Sequence, residues 1–131
     1  MNREIKFRAW YKEDNQMIDW FTLKQSAWNT FRGEKPLSLV HDVLVARKND
    51  FDIMQFTGLQ DKNGKDIYEG DIVKHSGIIC KVVYGKKGAC FSLFDVRLGE
   101  TDLYVITELS SRYMEVIGNE FENPELLTPQ S

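Results

Sequence analysis

Six side chains of this sequence have the types and neighbourhoods from which chemistry is usually built. Glu69 and Asp71 are two carboxylates separated by Gly70 and preceded by Tyr68. Paired carboxylates perform acid–base work when their surroundings push their pKa values apart. Gly70 between them instead marks a tight turn, in which an aspartate accepts hydrogen bonds from nearby backbone N–H groups. The turn is the favoured reading. Cys80, Cys90, His41 and His75 are the residue types that hold zinc, but they form no C-x-x-C and no H-x-x-x-H pair. No metal or other cofactor is expected. Two scattered histidines support no Cys–His or Ser–His–Asp arrangement.

Asp61-x-Asn63-Gly64-x-Asp66 has the outline of a calcium loop. An EF-hand loop needs glycine sixth and glutamate twelfth from its first aspartate, where this chain has Asp66 and Ile72. A hairpin turn explains the stretch better. Neither G-x-x-x-x-G-K-[ST] nor G-x-G-x-x-G occurs, so nucleotide binding has no support.

Two sets of residues suit binding rather than catalysis. Lys74, Lys81, Lys86 and Lys87, with Tyr84 and His75, form the best basic–aromatic cluster. A small barrel with basic loops binds single strands through phosphate contacts and base stacking. Yet Tyr84 is expected on an apolar face, and Lys86 and Lys87 belong to a turn. Solvated surface is therefore preferred to nucleic-acid contact. Trp10, Tyr11, Trp20, Phe21 and Trp28 make the N-terminal third aromatic. Most should be core. Any of Trp10, Tyr11, Trp20 or Trp28 left exposed would mark an interface, because such residues dominate binding hot spots.

These residues sit in a chain of 131, with 42% hydrophobic and 28% charged side chains. That composition folds, and the length suits one domain. The net charge of −3 excludes a polybasic binder on charge alone. Residues 1–60 carry nine basic and eight acidic groups, residues 61–94 six and four, residues 95–131 two and eight. The last third is thus an acidic surface, either solvated or offered to a basic partner. Met1 to Arg8 is charged where a signal peptide needs an apolar stretch. No apolar run approaches the roughly 18 residues of a membrane span. Two cysteines do not make a disulfide scaffold. A cytoplasmic protein with no membrane partner is expected.

The dominant hydrophobic period is two, which means strands. Ile5–Trp10 and Met17–Phe21 flank a polar turn and predict a β-hairpin. Gln25–Trp28 suits a short helix or a loop. Leu37–Ala46 suits a kinked strand, and Phe51–Leu59 the next one. Asn63-Gly64 predicts a type I′ turn with positive φ at both residues. Further turns fall at Glu69-Gly70-Asp71 and His75-Ser76-Gly77. Symmetric closure at Gly85 and Gly88 would pair Tyr84 with Ala89, Val82 with Phe91 and Cys80 with Leu93. That register places Cys80 and Cys90 on opposite faces, so they should not bond to each other. Val96–Asp102 reads as loop, Leu103–Leu109 as a short strand or helical turn, and Tyr113–Gly118 as a closing strand. Asn123-Pro124 opens a helical turn. The expected fold is mainly β: a small antiparallel, strongly coiled, SH3-like barrel over residues 51–118. An N-terminal hairpin region, 1–50, packs on it, and 119–131 is a C-terminal tail with a minor helix. The whole of 1–131 forms a single domain.

Residues 56–74, Phe-Thr-Gly-Leu-Gln-Asp-Lys-Asn-Gly-Lys-Asp-Ile-Tyr-Glu-Gly-Asp-Ile-Val-Lys, resemble the central motif of the YopX family of phage and prophage proteins. Arg3–Trp10 resembles the family's opening, and Glu115–Leu127 its ending. The three blocks span essentially the whole chain, whereas 20–50 and 95–112 match less clearly. The resemblance implies a small protein of phage genomes or integrated prophages. It brings no catalytic or ligand residues to place on these positions. With no convergent catalytic set, the expected function is that of a non-enzymatic accessory protein binding an unidentified host or phage protein. Homo-oligomers would cover its edge strands. The alternatives are a nucleic-acid-binding barrel and a small enzyme using Glu69 and Asp71.

Overall fold

The computed structural model describes residues 4–25, 48–85, 88–98 and 103–128. The fold is mainly β, with two antiparallel sheets, one of them strongly curled. The chain divides into two compact units, residues 5–55 and residues 1–4 with 56–131. The division falls inside one long strand.

In the unit 5–55, β1 (Phe7–Tyr11) pairs with β2 (Gln16–Ile18), Tyr11 opposite Gln16. The first half of β3 (Phe51–Gln60) pairs along the other edge of β1, from Tyr11 opposite Phe51 to Phe7 opposite Gln55. The predicted hairpin is present, but its second arm stops at Ile18. Trp20 and Phe21 open α1 (Trp20–Gln25) instead. Asp19 is the reason: its Oδ1 accepts the Thr22 N–H at 2.7 Å, and its carbonyl accepts the Leu23 N–H at 3.0 Å. The bonds from Thr22 hold this carboxyl below its usual pKa. An aspartate that caps a turn in this way converts an apolar run into a helix start. Ala9, Leu23 and Phe51 form the buried core, with Tyr11, Ile18, Trp20 and Ile53 packed against them. The expectations for residues 26–47, including the strand at Leu37–Ala46, lie outside the described residues.

The second unit begins with the other half of β3, which pairs with β4 (Asp66–Tyr68). β5 (Asp71–His75), β6 (Ile78–Tyr84), β7 (Phe91–Asp95) and β8 (Leu103–Val105) follow as a meander. After the one-turn helix α2 (Glu108–Ser111), β9 (Met114–Asn119) returns beside β5. The sheet order is β8-β7-β6-β5-β9. Val73, Cys80, Val82, Phe91, Leu93 and Met114 point to one face and make most of the core, with Ile67 and Ile106 closing it. Burying such side chains stabilises by about 1.5–3 kcal/mol each.

The β6–β7 register differs from the predicted one by two residues. Tyr84 faces Phe91, Val82 faces Leu93 and Cys80 faces Asp95. Gly85 N–H bonds the Cys90 carbonyl and Cys90 N–H the Gly88 carbonyl, so the loop extends to Cys90. An even shift preserves which face each residue takes. The apolar face was therefore foreseen correctly although its partners were not. The type I′ turn is also elsewhere. Ser76 and Gly77, with φ of 52° and 78°, form it between His75 and Ile78. At Asn63-Gly64 only Gly64 has positive φ.

The opposite face of the sheet carries Ile72 and Lys81, which face each other. The 3₁₀ turn Pro124–Leu127 packs against β6. Lys81 pairs with Glu120 at 3.6 Å. Gly118, opposite Ile72, lies under Asn123: a Cβ there would stand 2.7 Å from Asn123 Cγ. Pro124 opens its turn as expected. Asn123, however, does not cap it by a side-chain bond, because its Oδ1 accepts the Asn119 N–H at 3.2 Å.

Candidate functional site

The central motif folds into a bulge and two turns. Thr57 Oγ donates to the Ile67 carbonyl at 2.7 Å and accepts the Leu59 N–H at 3.1 Å, across Gly58 with φ of 89°. This stitches the bulge in β3. Asp61 is 6% exposed. Its Oδ1 accepts the Asn63 and Lys65 N–H groups at 2.8 and 2.9 Å, and its Oδ2 accepts the Val116 N–H of β9 at 2.9 Å. Lys62 N–H adds a bond to the Met114 carbonyl at 3.0 Å. Burial raises the Asp61 pKa, but the three N–H groups and the Lys65 charge outweigh it and hold the carboxyl below its usual value. A carboxylate filled by three backbone donors is an architectural clamp. Among the described residues no group of three or more His, Cys, Asp or Glu side chains could hold a metal ion.

Asp71 is 1% exposed, and its Oδ2 accepts the Tyr68 N–H at 2.8 Å. Gly70, with φ of 87°, donates to the Val82 carbonyl at 2.8 Å and accepts the Glu120 N–H at 2.9 Å. Asp71 is thus turned inward and bonded to its own turn. Glu69 is half-buried beside it.

Asp95 is a buried carboxylate that no motif or spacing marks. Arg97 grips it through its backbone N–H (2.9 Å), Nε (3.4 Å) and Nη2 (3.2 Å). The guanidinium bonds, with the backbone bond and the positive charge, hold Asp95 below its usual pKa despite burial. Burial, and then the neighbouring Asp95 charge, push the Cys80 thiol up to about 11. Cys80 and Cys90 are both free thiols. Cys90 is half-buried in the loop, with its sulfur 3.8 Å from Ser92 Oγ. A thiol reagent at mildly alkaline pH is expected to modify Cys90 in the native protein and Cys80 only on unfolding, because reactivity follows exposed thiolate. Rapid reaction of both would contradict this packing.

Lys74 and Lys81 share one face of the neighbouring strands β5 and β6, and Tyr84 takes the other face. Lys81 is engaged by Glu120, Lys74 faces Glu115 across the β5–β9 pair, and Tyr84 packs on Phe91 with ring centroids 4.9 Å apart. Lys86 and Lys87 lie outside the described residues. Of the aromatic candidates, Trp10 is buried. Tyr11 stacks on Phe51 and donates to Glu13 at 2.6 Å, and Trp20 meets Phe7 edge-on. Trp28 lies outside the described residues. The large side chains that are exposed include four within ten positions of one another: Tyr104 (53%), Val105 (48%), Leu109 (72%) and Tyr113 (73%). In the sequence, Leu103–Leu109 reads as a short strand or helical turn and Tyr113 as the start of the closing strand, and neither reading marks exposure.

The chain matches the family model described as YopX protein over residues 6–128. It belongs to the YopX family. Among solved structures it is similar to protein EF1440 from Enterococcus faecalis, with 26% identity, a TM-score of 0.62, and coverage of 96% of this chain and 99% of that one. It is also similar in fold to yopX from Bacillus subtilis, with 21% identity, a TM-score of 0.59, and coverage of 96% and 98%. No curated protein matches the chain. The three blocks that resemble the YopX family hold the bulge, both turns and the Asn119 turn. There, the Asn119 side chain accepts the Phe121 and Glu122 N–H groups at 3.0 and 2.8 Å and donates to Glu122 at 2.7 Å. Among the described residues, no helix is long and apolar enough to cross a membrane.

Proposed function

We propose that this YopX-family chain is a non-enzymatic interaction module. It is a phage- or prophage-encoded accessory protein that binds a host or phage protein in the bacterial cytoplasm. The observation that carries this reading is the use made of its buried carboxylates. Asp61, Asp71 and Asp95 are each held by hydrogen bonds to their own turns, whereas acid–base chemistry needs such a group to reach a substrate. The sheet order supports an SH3-like barrel, a scaffold with many unrelated functions. Its last strand lies beside its first, and a helical turn precedes that last strand.

A mild tagged pull-down from the native host during prophage induction, with and without nuclease, tests the proposal. A stoichiometric protein partner that survives nuclease is the expected result. Partners that vanish with nuclease would overturn it in favour of nucleic-acid binding. So would reproducible turnover of any substrate that a single polar substitution abolishes, in favour of an enzyme.

A further inference from the structure

Successive backbone N–H groups converge on Asp61. Asn63 and Lys65 donate to its Oδ1 at 2.8 and 2.9 Å, and Gly64 between them donates to its carbonyl at 3.0 Å. Asp61 N–H closes the loop on the Lys65 carbonyl at 2.8 Å. Of the seven asparagines in the chain, Asn63 alone precedes a glycine. Asparagine is a chemically labile residue, and a following glycine makes it more so, because no Cβ stands in the way of the glycine nitrogen. Both residues are exposed here, and a Cβ on Gly64 would meet nothing within 4 Å. Crowding therefore offers this pair no protection. The hydrogen bonds do.

We propose that Asn63 is a site of spontaneous deamidation through Gly64, held back by the Asp61 loop and released when that loop opens. This goes beyond the interaction-module reading and does not depend on it. In the reaction, the Gly64 nitrogen gives up its proton and attacks Asn63 Cγ. The N–Cγ bond closes a cyclic imide as the Cγ–Nδ2 bond breaks, and the amide departs with the proton as ammonia. Water then opens the imide at either carbonyl, which gives aspartate or isoaspartate. Water is the one co-reactant. To begin, the Gly64 nitrogen has to turn from the Asp61 carbonyl toward the Asn63 side chain, which breaks its bond. Its neighbours on both sides are held by a single carboxylate oxygen, so they resist that rotation. The Asp61 charge also opposes an anion on the nearby nitrogen. The same carboxylate ties the loop to Val116 of β9. Isoaspartate adds an atom to the main chain at residue 63, so conversion works against that tie.

The test incubates the full chain in mildly alkaline buffer, native and in urea. Chymotrypsin then releases the segment between Leu59 and Tyr68. Mass spectrometry follows the conversion, fragmentation places it at residue 63, and chromatography separates isoaspartate from aspartate. Native wild type is expected to convert about tenfold more slowly than the unfolded chain, because reaction through an open state scales with the population of that state. Asp61→Ala is expected to approach the unfolded rate. Should that variant fail to fold, Asp61→Asn is expected to convert severalfold faster than wild type at a temperature where its own melting curve is still native. Equal rates for native and unfolded wild type would overturn the proposal. So would a folded Asp61→Asn that converts no faster than wild type, since the loop would then hold nothing back. An Asn63 that stays intact in the unfolded chain would remove the site itself.

Discussion

Asp61→Ala is expected to destabilise the protein by about 2–4 kcal/mol, because it takes the acceptor from three backbone donors at about 1–3 kcal/mol each, those of the exposed Asn63 and Lys65 being relieved by water. Two of those donors, Asn63 and Lys65, shape the loop between β3 and β4, and the third, Val116, belongs to β9. One side chain thus fixes a turn and ties it to a strand 55 residues away in sequence. Asp61→Asn keeps an oxygen for the loop donors but sets an amide N–H₂ against Val116, and is expected to cost roughly half as much. Urea unfolding midpoints measure both. Amide exchange at Val116 should quicken in both variants. The pH dependence follows from the direction of the pKa shift. The folded pKa lies below the usual carboxylate value. The stabilisation is therefore fully present above the unfolded value of about 3.9 and is lost as pH falls through the folded pKa. The stability gap between wild type and Asp61→Ala should narrow in that acid range. A wild-type midpoint equal to that of Asp61→Ala at neutral pH would remove the clamp from the account.

The legible part of this fold was its alternation, and the illegible part was its hydrogen bonds to side chains. β3, β6 and β9 were readable because apolar residues recur every second position, and β5 because turns bracket Ile72 and Val73. The face that holds Cys80 and Val82 was readable too, since a two-residue error in register changes partners but not faces. Three features were not readable. Asp19 could have been read as a helix start, but the apolar run through Phe21 looked like strand. Asn63-Gly64 looked like the strongest hairpin signal. The Asp61 side chain takes the Asn63 and Lys65 N–H groups and leaves Gly64 alone in the left-handed region, with φ of 79°. The bond between Asp61 and Val116 joins two of the blocks that resemble the YopX family, and a pattern of local periods carries no such long-range information. The same reason kept Asp95 and Arg97 out of view. For the candidate site, types and spacing raised Glu69 and Asp71 and favoured a turn, which the structure has at Glu69-Gly70. They passed over Tyr104, Leu109 and Tyr113, because exposure is a property of what the rest of the chain leaves uncovered.

Asp71 separates the structural reading of the motif from the chemical one. It begins β5 opposite Asn119, is 1% exposed, and accepts the Tyr68 N–H. Asp71→Ala is expected to cost about 1–3 kcal/mol, the loss of a carboxyl acceptor from a half-buried backbone donor. Asp71→Asn keeps one oxygen toward Tyr68 and exchanges the other for a donor, so about 1–2 kcal/mol is expected. In a domain of this size, each kcal/mol lowers Tm by roughly 2–6 °C, which a thermal melt resolves. The Glu69-Gly70 turn is held from outside by Val82 and Glu120, so a weakened Asp71 should loosen Gly70 and Glu120 as well. Their amides should exchange faster together, while those of β7 stay protected. If Asp71 were instead a proton-transfer group, Asp71→Asn would abolish activity with Tm unchanged. Function and stability would then part company, and the carboxylate pair would return as the site. If the clamp is structural, partner binding should fall only at temperatures where the variant begins to unfold, and cooling below that range should restore it.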